Sequence, residues 1–390
     1  MMSNSLTVVG AGVIGLSCAW RAAEAGLRVT VLDPAPASGA SWVAGGMLAP
    51  VTEAWPGEEA LLELGEHAVR RWPSFAEELG AAAGQPAGLR TDGTLVAATG
   101  TGDRAELEAL ADFLARLGRE VERLSGREMR RLEPALGPDV RGGLLVPGDL
   151  AVDNRQLLAA LRAAAERAGV EIIQRAVRAV LDDGTRVTGV RTDDGDLEAG
   201  TVLVAAGAHS AALHPALEGL VRPVKGEILR IAHRPGAFPP PKRTVRALVD
   251  GRPVYLVPRD GGGLVVGATQ TELGFDTEVT IGGVRDLLRD AERILPGIAE
   301  YALVESAAGL RPGSPDNLPL IGARGPDGLL VATGHHRNGM LLAPVTADAV
   351  LALLRGEAVP EPVRAADPSR AALAGPAGSA GFHPTRLARR

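Results

Sequence analysis

The chain has 390 residues, of which 46% are hydrophobic and 23% charged, and its formal net charge is −6. The acidic balance argues against binding to nucleic acid or to an anionic membrane, and a single cysteine, Cys18, excludes an internal disulfide and fits a reducing compartment. No apolar run approaches the roughly 18 residues of a membrane span, and Met1 to Leu6 carries no Lys or Arg, so we expect a cytoplasmic protein.

The N-terminal segment predicts a dinucleotide-binding unit. A strand leads into Gly10-x-Gly12-x-x-Gly15, followed by a helix and a second strand that ends at Asp33. Gly10 permits the tight turn, Gly12 lets the backbone approach a pyrophosphate, and Gly15 lets the helix pack close to the strand. The amides at the helix start face the phosphates, and Asp33 is placed to accept hydrogen bonds from a ribose. A glycine-rich turn in an ordinary βαβ core is the alternative.

The segment after this unit, 38–50, is rich in small residues. It holds too much glycine for a stable helix and is too apolar for a mobile loop, so we expect it to lie buried against a ligand. Leucine and aromatic spacing then predicts a helix over 61–79, kinked at Pro73, and a second helix over 107–117.

Capping residues mark two further helices. Ser125 and Glu128 form a capping box for a short helix. Asp153 and Asn154 cap a longer helix that ends at Gly169.

The remaining pattern is mostly strand. We expect a strand over 170–180, a hairpin over 187–197 and a buried parallel-type strand over 201–208, which returns the chain to the nucleotide-binding sheet. Alternating β-formers over 221–273 predict an antiparallel sheet, and a helix over 283–295 follows.

A second anion-binding helix start is predicted near the C-terminus. Leu329 to Thr333 forms a strand, Gly334 to Gly339 a turn, and a helix then runs from Met340 to Leu354. In a flavoenzyme, the free amides and positive dipole end of such a helix suit the N1–C2=O edge of the ring, which gains negative charge on reduction.

Several separated segments carry the most specific pattern in the chain. They are the N-terminal unit, Gly45–Leu48, Ala205–Ala208, Gly309–Gly313 and Gly334–Gly339, with support from Pro223–Glu227 and Tyr255–Arg259. Together they resemble the D-amino-acid oxidase superfamily, and most of all the FAD-dependent glycine oxidases of thiamine biosynthesis. The likeness runs from Leu6 to Glu357.

The resemblance implies noncovalent FAD, because the C-terminal half has no cysteine for the covalent linkage of related sarcosine oxidases. Beyond the glycines of the first turn, it implies FAD contacts at Val13, Ile14, Asp33, Pro34, Ala40, Ser41, Gly45, Gly46 and Met47. Val177 is expected to offer its backbone to the adenine. The isoalloxazine ring would be lined by His335, His336, Arg337, Asn338, Gly339, Met340 and Leu341.

The resemblance also implies three substrate-side residues. Arg311 would clamp the substrate carboxylate, and a guanidinium fork is the usual bidentate partner for that group. Arg337 would be a second substrate-side arginine and Tyr255 would lie near the amino acid. The alternatives are a surface arginine at 311, a helix-end partner at 337 and a core tyrosine at 255.

Other residues carry weaker expectations. His335 and His336 are not expected to bind a metal, because adjacent side chains diverge and no carboxylate or cysteine lies at ligand spacing. Cys18 is interpreted as a small core residue. Gln270 stands where glycine oxidases have a methionine near the substrate, so we expect it to influence which amines fit.

The length favours two domains, and the resemblance implies an α/β fold. A Rossmann-like FAD-binding domain would comprise 1–50, 147–215 and 305–366. An α+β substrate domain built on an antiparallel sheet would comprise 51–146 and 216–304. Residues 367–390 are expected to form a disordered tail, with four arginines in solvent rather than on an acidic partner: Arg370, Arg386, Arg389 and Arg390.

The implied reaction is oxidation of glycine by oxygen, without a protein acid or base if the amine enters neutral. Glycine would become iminoglycine, then glyoxylate and ammonia, with hydrogen peroxide as coproduct, and the imine would serve thiazole formation. The alternatives are a D-amino-acid or sarcosine oxidase, a related dehydrogenase, or a flavin-bearing subunit without turnover. The resemblance also implies a homo-oligomer, although the sequence identifies no interface.

Overall fold

The computed structural model describes residues 4–119 and 121–370. Its helices are α1 (Val13–Glu24), α2 (Gly39–Val43), α3 (Glu59–Ala83), α4 (Thr101–Arg116), α5 (Gly126–Leu132), α6 (Asn154–Arg167), α7 (Ile281–Ile294) and α8 (Gly339–Arg355). Its strands are β1 (Ser5–Val9), β2 (Arg28–Leu32), β3 (Met47–Leu48), β4 (Leu89–Arg90), β5 (Thr94–Ala98), β6 (Glu122–Ser125), β7 (Gly142–Val146), β8 (Leu150–Val152), β9 (Glu171–Ile173), β10 (Val177–Asp182), β11 (Val187–Thr192), β12 (Gly195–Glu198), β13 (Val202–Val204), β14 (Arg222–Ala232), β15 (Thr244–Val249), β16 (Arg252–Pro258), β17 (Gly263–Gly267), β18 (Ala302–Gly313), β19 (Leu320–Ala323) and β20 (Leu329–Thr333).

The first large sheet is a six-stranded, mainly parallel sheet. Its order is β19-β20-β13-β1-β2-β9, and only the β19–β20 pair is antiparallel. Its central strands are apolar and buried, as parallel strands covered on both faces must be. Helices α1, α3, α6 and α8 pack together against it. The Rossmann-like part of the predicted fold is therefore confirmed, including the return of the chain at β13.

The second large sheet has eight strands in the order β18-β14-β17-β16-β15-β5-β7-β6. Every neighbouring pair is antiparallel except β15–β5. Helix α7 packs on it through a separate apolar core. This is the predicted α+β unit. Strand β18 lies wholly in this sheet, so the predicted domain boundary at residue 305 falls inside a strand, and we propose a boundary after Gly313.

Two local predictions are wrong. Segment 38–50 contains the short helix α2, whose end carbonyls at Ser41 and Trp42 accept hydrogen bonds from Asn154 Nδ2 at 2.9 and 2.8 Å. Tertiary hydrogen bonds thus offset the low helix propensity of glycine. The predicted strand 170–180 is two strands, because β9 joins the six-stranded sheet whereas β10 pairs with β11.

The predicted caps differ in outcome. Ser125 and Glu128 form the capping box, and Asp153 caps α6 by accepting hydrogen bonds from the amides of Arg155 and Gln156. Asn154 does not cap this helix, because its side chain turns toward α2. Helix α3 continues through Pro73 and extends beyond the predicted span.

Arg370 contradicts the predicted tail. Its guanidinium donates to both carboxylate oxygens of Asp316, each at 2.7 Å, and to the carbonyls of Leu318 and Pro319 at 2.9 Å. The bidentate pair fixes the chain as far as residue 370. The predicted disorder of 371–390, with Arg386, Arg389 and Arg390, lies outside the described residues.

One helical segment in the described ranges, 336–355, is long and apolar enough to cross a membrane by composition alone. It is 61% buried within the protein. Helix α8, which makes up most of this segment, packs against α1 and α3. Its apolar composition is therefore that of a core helix.

Candidate active site

A cavity of about 740 Å³ is lined by both large sheets and by the segments beside them. This volume lies within the range of cofactor and small-molecule sites. Of the residues predicted to bind the cofactor or the substrate, all but Gly15 and Leu341 line it. Gly15 lies beneath the first turn, where a Cβ would come within 1.9 Å of the Gly10 carbonyl oxygen. The Leu341 carbonyl accepts a hydrogen bond from Trp72 Nε1 at 2.9 Å.

One end of the cavity is formed by the first glycine turn. Gly10 has φ +109°, and a Cβ there would lie 2.4 Å from the carbonyl oxygen of Ala205. The two carboxylate oxygens of Asp33 accept hydrogen bonds from the amides of Ala11 and Ala35, both at 2.7 Å. Asp33 therefore stabilises the turn and retains further lone pairs that a ribose could use.

Ser41 joins the start of α1 to the segment that follows β2. Its Oγ accepts a hydrogen bond from the Val13 amide at 3.0 Å, and its hydroxyl proton remains to be donated. Ser41, Gly12 and Val13 all line the cavity. Backbone amides, a hydroxyl and a helix N-terminus are groups that fit a pyrophosphate.

Asn154 and Arg259 are site-supporting residues that the sequence prediction missed. Besides donating to α2, Asn154 accepts hydrogen bonds at Oδ1 from Arg230 Nη2 at 2.9 Å and Arg259 Nη2 at 3.1 Å. Its two donors and two acceptor positions are therefore all used. Arg259 Nη2 also donates to the Gly45 carbonyl at 2.7 Å. This network ties the cavity wall at 41–45 to the eight-stranded sheet.

The substrate end predicted from the resemblance contains Arg311 and Tyr255. Arg311 lies over Gly226, where a Cβ would be 2.2 Å from its Nη1. That nitrogen donates to the carbonyls of Thr269 at 3.2 Å and Lys225 at 3.4 Å. Burial lowers the pKa of Arg311. The ordinary pKa of arginine is so high that the guanidinium still stays charged at neutral pH.

The ring of Tyr255 is packed between two glycine backbones. A Cβ would lie 2.8 Å from Tyr255 Cε2 at Gly45 and 2.3 Å from its Cζ at Gly267. Burial raises the pKa of the Tyr255 phenol, which therefore remains a neutral hydrogen-bond donor. Tyr255, Arg311 and Arg337 line the same cavity.

Glu53 is a carboxylate in the cavity wall that the sequence prediction also missed. Its Oε1 lies 3.0 Å from Arg246 Nη1, and its Oε2 lies 3.7 Å from Arg337 Nε. Burial opposes ionisation, but Arg246, Arg337 and Arg311 together lower the pKa of Glu53 below its ordinary value. Glu53 is therefore ionised at neutral pH. No local motif marks it, because its cationic partners are distant in the chain.

The two histidines of the second turn are neutral. Thr346 Oγ1 donates to the Leu342 carbonyl at 2.8 Å, so His335 Nε2, 3.0 Å away, must donate to this hydroxyl. Burial lowers the pKa of His335 to about 3 and also lowers that of His336. Within 4–119 and 121–370, no group of three or more His, Cys, Asp or Glu side chains is arranged to hold a metal.

The predictions for Cys18 and Gln270 have different outcomes. Cys18 is 1% exposed within the core beside α8, which confirms its structural interpretation. Gln270 is exposed and does not line the cavity, so the expectation that it influences substrate choice has no support from its position.

A family model described as FAD dependent oxidoreductase matches residues 5–353. Glycine oxidase from Pseudomonas aeruginosa is 34% identical over 96% of this chain and 100% of its own length. The bifunctional protein ThiO/ThiG from Synechocystis sp. is 34% identical over 94% of this chain, which spans 54% of that protein. The crystal structure of glycine oxidase from Geobacillus kaustophilus has a TM-score of 0.85 at 33% identity, over 94% of this chain and 98% of that one. The chain belongs to the FAD dependent oxidoreductase family.

Proposed function

We propose that this protein oxidises glycine to iminoglycine, which hydrolyses to glyoxylate and ammonia, while oxygen is reduced to hydrogen peroxide. The main support is that a single cavity is lined by the Gly10–Gly12 turn at one place and by Arg311 and Tyr255 at another. The relatives named glycine oxidase support the same substrate. The chain spans about half the length of the bifunctional ThiO/ThiG relatives that it matches.

The residues present fit FAD. The first turn, Asp33 and Ser41 offer amides, a carboxylate and a hydroxyl to the pyrophosphate and ribose, and the second turn opens helix α8 on the same cavity. When bound, FAD supplies an acceptor for hydride from the substrate carbon and passes the electrons to oxygen. We propose that the cofactor residues predicted from the resemblance, including Val177, hold it noncovalently.

The protein itself orients the amino acid. Arg311 offers guanidinium donors to the carboxylate, and the neutral Tyr255 phenol offers a further donor. Such positioning converts a bimolecular encounter into a reaction between oriented partners. His335 and His336 are neutral, and Glu53 is a weak base because arginines stabilise its ionised form. We propose that glycine therefore binds productively as the neutral amine.

We propose that the iminoglycine serves thiazole formation in thiamine biosynthesis, as the names of the ThiO relatives suggest. A cytoplasmic location is proposed with it, since the single cysteine of the chain fits a reducing compartment. Assembly into a homo-oligomer stays a prediction.

A substrate panel tests the proposed function. Hydrogen peroxide production is measured in air with glycine, sarcosine, D-alanine and D-proline, and the flavin absorbance is followed with each compound without oxygen. We expect glycine to yield peroxide and to bleach the flavin. Preference for another compound would identify a D-amino-acid or sarcosine oxidase, and bleaching without peroxide would identify a dehydrogenase. No bleaching by any of the four would refute turnover.

A further inference from the structure

The substrate end of the cavity carries an excess of positive charge. Arg311 and Arg337 line it, and Arg246 lies directly behind, paired with Glu53. Glu53 is the carboxylate that balances these arginines, and its side chain is 10% exposed. Without the Glu53 carboxylate, a substrate carboxylate bound at Arg311 would leave Arg246 and Arg337 without this counter-charge, and the two arginines would attract a second acidic group.

Glu53 occupies the place where such a second acid would be attracted. One of its oxygens faces Arg246 Nη1 at 3.0 Å and the other faces Arg337 Nε at 3.7 Å. Arg246 Nη1 also lies 3.3 Å from Thr52 Oγ1. The carboxylate thus engages both guanidinium groups while it lines the cavity.

The segment that carries Glu53 is itself fixed. The amides of Val51 and Thr52 donate to the carboxylate of Asp149 at 3.1 and 2.7 Å. Asp149 is fully buried, so this anchor does not depend on the contents of the cavity. Glu53 therefore keeps its position toward the substrate end rather than adapting to each ligand.

We propose that Glu53 determines substrate specificity by admitting amino acids with one carboxylate and rejecting those with two. The inference rests on the proposed function, because it places the substrate carboxylate at Arg311. The Glu53 carboxylate is paired with the guanidinium groups of Arg246 and Arg337, which would otherwise bind a second carboxylate, and its negative charge repels that carboxylate. Like-charge contact of this kind is how binding sites reject a wrong ligand.

Inert carboxylates test the proposal without turnover. Malonate carries two charges, whereas monomethyl malonate has nearly the same size and carries one. Their affinities for the FAD-loaded protein are measured from the change in flavin absorbance, with acetate as a reference. We expect the unmodified protein to bind monomethyl malonate more tightly than malonate. Tighter binding of malonate would overturn the proposal even before any variant is made.

The Glu53→Gln variant gives the second test. We expect the affinity for malonate relative to monomethyl malonate to rise about tenfold or more, because one unit of repulsion is removed and the two arginines lose the negative charge that they share. Glu53→Asp keeps the charge and should restore the ratio. Glu58→Gln is the matched control, since Glu58 lies in the same segment and contacts Asn317 instead. An equal change for both ligands would mean that Glu53 has only a structural role.

The two proposals fail in different ways. Glycine turnover by the unmodified protein tests the proposed function, whereas the malonate ratio depends only on binding. If Glu53→Gln raises the affinity for malonate relative to monomethyl malonate but the unmodified protein does not oxidise glycine, the specificity role of Glu53 stands and the proposed reaction is refuted. Normal glycine oxidation with an unchanged ratio would refute the specificity role alone.

Discussion

Replacing Arg311 by methionine tests the anchor for the substrate carboxylate. Methionine keeps an unbranched apolar side chain in the space above Gly226 but removes the guanidinium, which donates to the carbonyls of Thr269 and Lys225. The substrate carboxylate would then enter a cavity that lacks its charged partner. Fold and cofactor should persist, because Arg311 takes no part in the Gly10–Gly12 turn.

The expected loss follows from the position of the group. Removing one partner of a buried, hydrogen-bonded charge pair costs about 2–5 kcal/mol of binding. Arg311 keeps some exposure to the cavity, and Arg337 supplies a second positive charge, so the lower part of this range applies. We expect about 2–3 kcal/mol, which corresponds to acetate binding weakened roughly 30- to 150-fold.

The assay is titration of the FAD-loaded protein with acetate, followed by flavin absorbance, together with the KM for glycine. Arg311→Lys keeps the charge without the planar fork and should lose only about tenfold. FAD affinity, measured on the apoprotein, should be unchanged in both variants. Acetate affinity within twofold of the original in Arg311→Met would refute the assignment of Arg311 as the carboxylate anchor.

Three further predictions concern the cofactor end and the cavity wall. Asp33→Asn should weaken FAD binding about tenfold in apoprotein titrations. The NH2 group of the asparagine would face one of the two backbone N–H groups that now donate to the Asp33 carboxylate. Unchanged affinity for FAD would exclude a ribose role for Asp33. Asn154→Leu leaves two arginines and two carbonyls without this partner, so urea unfolding should show a loss of about 2–3 kcal/mol and FAD should bind more weakly; Asn154→Asp, which keeps the acceptor, should lose less. Burial raises the pKa of Asp149 from 3.8 to about 6, so the folded state holds this proton more tightly than the unfolded state. The contribution of Asp149 to the free energy of unfolding therefore falls as pH rises from 4 to 6, by about 3 kcal/mol in total. The difference in the free energy of unfolding between the unmodified protein and Asp149→Asn should change with pH in that interval. A difference independent of pH would contradict the raised pKa.

Much of the fold is predictable because its signals are local. The first glycine turn, the capping box at Ser125 and the cap at Asp153 depend on residues a few positions apart, and all form as expected. The central strands are predictable because parallel strands buried on both faces are continuously apolar. Short helix α2 is different, since its stability comes from Asn154, more than a hundred residues away.

The cavity wall was only partly predictable. Glu53 meets Arg246 and Arg337 through the fold, so no spacing in the sequence relates them. Arg370 sits in a composition typical of disorder, yet it pairs with Asp316 and donates to the carbonyls of Leu318 and Pro319, and composition does not reveal such long-range contacts. Gln270 is a different case, because a likeness to a family motif suggested a position near the substrate, whereas its side chain is exposed and does not line the cavity.

A crystal structure of the protein with FAD and acetate would show whether one cavity holds both the cofactor and the substrate carboxylate. We expect the dinucleotide along the Gly10–Gly12 turn with its ribose on Asp33, and the acetate carboxylate within hydrogen-bond distance of the Arg311 guanidinium and the Tyr255 hydroxyl. FAD bound elsewhere, or acetate held in the cavity without a contact to Arg311, would contradict this expectation.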